Sequence, residues 1–167
     1  MKQINKYICD HFENDKFSII ERLHISKDIK NYNYNPKTAD ELQELVDKLV
    51  KERGNEADLN DIDTSEITDM DELFYNSDFN GDISEWDVSN VQYMNSMFYK
   101  SKFTGENGNI SNWDVSKVKD MFCMFYGSEF TGEHGDISNW DVSNVKNMYY
   151  MFGRSPLEKN PPKWYKR

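Results

Sequence analysis

Four aspartates recur in one setting along this chain: Asp63, Asp87, Asp114 and Asp141, each followed two residues later by Ser65, Ser89, Ser116 or Ser143. A carboxylate so placed has two chemistries open to it. One oxygen can accept the backbone N–H of the serine, closing a local Asx-turn. The group can also receive a lysine or arginine from another molecule, and carboxylates stacked at the ~4.8 Å strand spacing would present a ladder of negative charge. The two roles are compatible, because a carboxylate has two oxygens. Glu85, beside Trp86, joins this candidate partner-binding set.

A second set of positions carries aromatic residues: Tyr93, Phe122, Tyr149 and Tyr150. Exposed, they would be anchors on an acidic face, the composition of a binding hot spot. Packed against a neighbouring unit, they would be ordinary core. Other chemistry is poorly supplied. Asp61, Asp63, Ser65, Asp69 and Glu72 fall at the spacing of a calcium loop, but Glu66 stands where the sharp turn demands glycine, so the match reads as coincidence. His11, His24 and His134 lack partners at ligand spacing, and Cys9 and Cys123 lie far apart in dissimilar contexts. No nucleophile elbow, phosphate loop or zinc signature occurs. The expectation is a binding protein, not an enzyme, with no catalytic residue, metal or cofactor.

The elements that must position these groups are repeats. Asp82-Ile83-Ser84-Glu85-Trp86-Asp87-Val88-Ser89 returns as residues 109–116 and 136–143, so that Trp86, Trp113 and Trp140 stand 27 residues apart. Val91, Met94, Met97 and Phe98 are matched by Val118, Met121, Met124 and Phe125, then by Val145, Met148, Met151 and Phe152. Leu59, Ile62, Ile67, Met70, Leu73 and Phe74 form a weaker earlier copy. Four units follow, at 57–80, 81–107, 108–134 and 135–157, with a glycine-containing turn between them. The spacing Ile83-x-x-Trp86-x-Val88 suits a short strand with Asp87 outward. Val91-x-x-Met94-x-x-Met97-Phe98 suits a short helix or 3₁₀ segment capped by Ser89, or a second strand.

These residues resemble BspA-like leucine-rich repeat proteins, in the tryptophan-containing D-I-S-x-W-D-V-S-x-V-x-x-M-x-x-M-F variety, over about residues 57–157. The resemblance implies a right-handed, β-rich, leucine-rich-repeat-type solenoid. With its helical cap the whole would be an α+β repeat protein. It also implies an alternative role, since better-known relatives are surface proteins that bind host proteins or matrix.

Charge is unevenly placed. Residues 1–56 carry a net −1, residues 57–155 a net −12 and residues 156–167 a net +3, within a chain of net −10. An acidic array disfavours direct binding of nucleic acid phosphates and favours a basic protein partner. The opening residues lack the apolar run of a secretory signal, and no membrane-spanning stretch is apparent, which gives a cytoplasmic expectation. An inhibitor from a phage or mobile element, occupying a nucleic-acid-binding protein, would have this character; the surface adhesin is the alternative. Residues 1–56 read as a helical N-terminal cap or a small docking domain. Within them Thr38-Ala39-Asp40-Glu41 opens a helix through Leu42, Leu45, Val46, Leu49 and Val50 that stops at Gly54. Ile4, Tyr7, Ile8 and Phe12 suggest a shorter one. Leu157 and Trp164 are expected to close the last layer, ahead of a basic tail at 158–167.

Overall fold

The computed structural model describes residues 32–166. The series at Ile4 to Phe12 lies outside the described residues. The chain divides after Asn31, and the repeats belong to the part from Tyr32 onward.

One α-helix, α1 (Ala39–Arg53), precedes the repeats. Thr38 caps it, its Oγ1 accepting the Glu41 N–H at 3.2 Å, while the Glu41 carboxylate accepts the Lys37 N–H at 2.6 Å. Gly54 ends it at φ 92°, donating its own N–H to Val50. Leu42, Val46 and Leu49 are buried and join one core with the repeats. Arg53 ties the helix end down: its two terminal nitrogens bond both oxygens of Asp61, each at 2.9 Å.

Each repeat is a chain of tight turns. Trp86 N–H bonds Ile83 O, Val91 bonds Val88, Met97 bonds Met94, Tyr99 bonds Ser96 and Ser101 bonds Phe98, all three residues back. A β-turn is closed by such a bond, so apolar residues spaced by three stand at the two ends of one turn and both face inward. The spacing that suggested strand and helix is therefore the signature of turns in series.

The N–H groups left over point along the stack. Met94, Ser96, Phe98 and Lys100 donate to Asp120, Phe122, Met124 and Tyr126 of the next coil, at 2.8–3.0 Å. Two slots per coil make this possible by taking a left-handed conformation. Glu72, Ser96, Cys123 and Tyr150 fill one; Asn76, Lys100, Gly127 and Arg154 fill the other, at φ between 50° and 63°. Each non-glycine there costs roughly 1 kcal/mol. The N–H turned outward by that conformation meets a carbonyl of the next coil wherever a next coil follows, which offsets the cost.

The fold class expected from the sequence is corrected by this architecture. Among the described residues there is one α-helix, two 3₁₀ turns (Ile137–Asn139 and Pro156–Glu158) and no named strand or sheet. Parallel pairing is confined to isolated bridges, of which Asp69, Tyr93, Asp120 and Asn147 form a single column. A β-rich solenoid needs consecutive extended residues, and turns closing every three or four residues leave no room for them. The segment after Val91 is neither the helix nor the strand anticipated.

The core is a set of columns. Phe74, Phe98, Phe125 and Phe152 stack with ring centres 5.3–5.9 Å apart, and Phe79, Phe103 and Phe130 flank them. Full burial of such a side chain stabilises by roughly 1.5–3 kcal/mol. Where the chain passes between coils, backbones approach closely. A Cβ at Gly81 would lie 2.0 Å from the Ala57 carbonyl oxygen, and one at Gly108 would lie 2.8 Å from that of Gly81.

Candidate functional site

The aspartate ladder is built into the turns. Asp63, Asp87, Asp114 and Asp141 each accept the backbone N–H of the serine two residues on, at 3.0–3.1 Å. Asp87, Asp114 and Asp141 are exposed, and Asp63 is half-buried. Hydrogen bonds from Ser116 and Ser143 hold the carboxyls of Asp114 and Asp141 below the usual range, and the charge of Asp114 pushes weakly the other way on Asp141. The local bond is therefore present in every copy, and in three copies the carboxylate still faces solvent. Glu85 is exposed as well, its N–H donated to Asn60 Oδ1 at 2.8 Å.

The aromatic set is on the surface. Tyr93, Phe122, Tyr149 and Tyr150 are 42%, 39%, 61% and 56% exposed, so they are not part of the core. Tyr93 belongs to the column of bridge residues, paired with Asp69 and Asp120, and the others lie two or three residues along the chain from it: Ser96 bonds the Phe122 carbonyl and Cys123 bonds that of Tyr149. Phe122 and Tyr149 thus occupy one slot on successive coils, and Asp71 and Asn95 hold that slot before them. Desolvation pushes the Asp71 carboxyl above its usual range, outweighing hydrogen bonds from Asn95, and the charges of Asp69 and Asp120 act in the same direction. This face runs from acidic on the first coil to aromatic on the last. The aspartate ladder is a separate column, the one that follows Ile62, Trp86, Trp113 and Trp140.

Asp61, first in the apparent calcium loop, is committed to Arg53 and Asn33, while Asp63 serves Ser65. Among the described residues no helix is long and apolar enough to cross a membrane.

Three features escaped the sequence reading. Tyr75, Tyr99 and Tyr126 stack at 4.8 and 5.1 Å in a column just outside the phenylalanines. Lys117, Lys119 and Lys146 line an open groove with Gln92 and Asn144, a basic patch hidden inside a net acidic count. A cavity of about 230 Å³ opens among Tyr149, Tyr150, Phe152, Gly153, Glu158 and Tyr165. Slot-by-slot alignment of the copies would have found the first two, since Gln92, Lys119 and Lys146 share one position.

The family described as "Mycoplasma protein of unknown function, DUF285" matches residues 40–164. This chain belongs to that family. The DUF285 match begins inside α1 and ends on Trp164, so it takes in both the helix that joins the core and the last tryptophan of the stack. No curated protein and no solved structure gives a significant match.

Proposed function

We propose that this DUF285 chain is a non-enzymatic protein-binding module whose acidic, aromatic-bearing repeat surface takes a protein with a basic surface. The observation that carries this reading is the exposure of Tyr93, Phe122, Tyr149 and Tyr150 on successive coils alongside Asp69, Asp71 and Asp120. Large aromatics left in water are costly for a lone protein and productive at an interface, where they supply most of the energy while charges set orientation and on-rate. The net −12 of residues 57–155 fits a partner whose basic surface ordinarily meets nucleic acid, as the target of a phage- or mobile-element-encoded inhibitor would.

The test is capture of partners from the source cells with three proteins: wild type, a Tyr93→Ser/Phe122→Ser variant, and a variant with Asp87, Asp114 and Asp141 changed to lysine. A basic protein retained by the wild type, released by rising salt and lost from both variants is the expected result. Capture that is indifferent to salt and to both variants would sink the proposal.

A further inference from the structure

Each of the first three coils hands four backbone N–H groups to the next. Those of Met70, Glu72, Phe74 and Asn76, and their counterparts on coils two and three, meet carbonyls at 2.7–3.0 Å. One bond per step runs the other way, from Gln92, Lys119 and Lys146 to a carbonyl of the coil before, at 2.8 Å. On the fourth coil Glu158 stands in at one place, its carboxylate accepting the Arg154 N–H at 3.0 Å. Among the described residues the N–H groups of Met148, Tyr150 and Phe152 and the carbonyl of Lys146 find no partner.

The packing is unfinished along the same line. Val91, Val118, Met94 and Met121 are fully buried, whereas Val145 and Met148 are half-buried. Trp164 and Tyr165 lie against Phe152, but the 230 Å³ cavity stays open at Tyr149, Tyr150 and Gly153. The tyrosine column breaks there too: Tyr75, Tyr99 and Tyr126 stack in register, and the fourth coil puts Gly153 in their slot. Unmet backbone groups beside apolar surface are a template for another segment of chain.

Copies of this chain do not complement that edge. Two such ends brought together would set donors against donors. The opposite end of the stack is taken, because α1 lies where a preceding coil would. Gln43 Nε2 donates to the Leu73 carbonyl at 3.4 Å, in the slot where the Met97 and Met124 carbonyls accept from Phe74 and Phe98. Charge narrows the remaining choice. Gln92, Lys119 and Lys146 form one column, and Lys119 Nζ reaches back to Gln92 Oε1 at 2.6 Å. Behind Lys146 stands another lysine, so its acceptor has to come from the open side.

We infer that the C-terminal end of the stack is a docking edge for a segment of another protein, laid on it as one coil lies on the next. Carbonyls of that segment take the Met148 and Tyr150 N–H groups. Two apolar residues three apart cover Val145 and Met148, and an acidic residue directly after the first meets Lys146. The inference goes beyond the basic partner proposed above, which is tested at Tyr93, Phe122 and the aspartate ladder.

The experiment uses the full chain and two synthetic nonapeptides of residues 91–99, which carry Val91 and Met94 three apart. One bears Gln92→Glu and the other Gln92→Lys. Amide shifts and hydrogen exchange at Met148 and Tyr150 are followed by NMR. The glutamate peptide should bind saturably and slow exchange at both amides at least tenfold. It should bind about fivefold tighter than the lysine peptide, the scale of one exposed ion pair. Lys146→Glu should reverse that preference. Val145→Lys, a charge set on the edge, should abolish binding of both peptides, with an unchanged melting temperature certifying the fold. Absent saturation, unprotected amides at Met148 and Tyr150, or a preference unmoved by Lys146→Glu would overturn the inference. So would self-association of the peptide-free protein in sedimentation that Val145→Lys removes, since a second copy would then be the occupant.

Discussion

Trp164 donates its indole N–H to the carbonyl of Ile137 at 3.0 Å. Trp86 makes the same bond to Leu59, Trp113 to Ile83 and Trp140 to Ile110, at 2.9–3.3 Å. Each tryptophan reaches back one coil and gives a second donor to a carbonyl that already accepts a turn-closing backbone N–H. Trp164 is therefore a fourth member of the column, with Pro161 in the slot that Ile137 holds one coil earlier. The last residues finish the stack in the manner of a repeat, although nothing else of the phrase survives there.

Replacing Trp164 with phenylalanine should cost about 1 kcal/mol, because the Ile137 carbonyl loses one of its two donors and keeps only the Trp140 N–H. Alanine should cost about 2–4 kcal/mol, the ring contacts with Phe152 being lost as well. Urea unfolding followed by tryptophan fluorescence and circular dichroism measures both. A phenylalanine variant as stable as wild type would mean that the N–H bond contributes nothing.

The repeat register, its core and α1 were legible in the sequence because they rest on residue identity at fixed spacing. Trp86, Val88, Met94 and Phe98 are buried, as their recurrence implied. Backbone conformation was not legible. A spacing of three serves a β-turn as well as a helix, and only left-handed residues at Ser96, Lys100 and their counterparts separate the two. Those positions hold Glu, Asn, Ser, Lys, Cys, Tyr and Arg as well as glycine, so no residue type marks them. The conformation belongs to the turn itself, since Tyr150 and Arg154 take it on the last coil, and where a next coil follows its carbonyls receive the N–H groups so turned. For the site, the serine bonds of the aspartate ladder were readable from Asp-x-Ser. The cavity at Gly153 was not, because it arises from a tyrosine that is missing.

Close approach between coils makes the glycines unequal. Gly81→Ala should destabilise by 2 kcal/mol or more, on the order of an overpacked core site, since the added methyl meets the Ala57 carbonyl. Gly127→Asn should stay within about 0.5 kcal/mol, because Asn76 holds the same left-handed slot two coils earlier. Paired thermal melts decide it, and equal loss in the two variants would contradict the assignment of slots.

The Arg53–Asp61 pair predicts a response to acid. The Arg53 guanidinium, helped by Asn33, holds the Asp61 carboxyl below its ordinary value of 3.8. An acid whose pKa is lower folded than unfolded contributes stability that is fully present above the unfolded value and is lost as pH falls through the folded one. Asp61→Asn should therefore cost about 1 kcal/mol at neutral pH and progressively less below pH 3.8. Unfolding free energies measured from pH 7 to pH 2 test this; a cost independent of pH would show that the pair's charge does not matter.

The aspartate ladder can be separated into its two roles by changing one property at a time. Asparagine keeps the oxygen that accepts the Ser89, Ser116 and Ser143 N–H groups and removes the charge. The triple change of Asp87, Asp114 and Asp141 to asparagine should leave stability within about 0.5 kcal/mol per site while weakening a basic partner and flattening the salt dependence of its binding. Alanine at the same positions removes the acceptor too and should cost about 0.5–1.5 kcal/mol per site. Melting curves and partner affinity at two salt concentrations, taken on both triples, resolve the question. If the asparagine triple binds its partner with unchanged affinity and salt response, the ladder is a device of the fold alone, and the interface must be carried by the aromatic face.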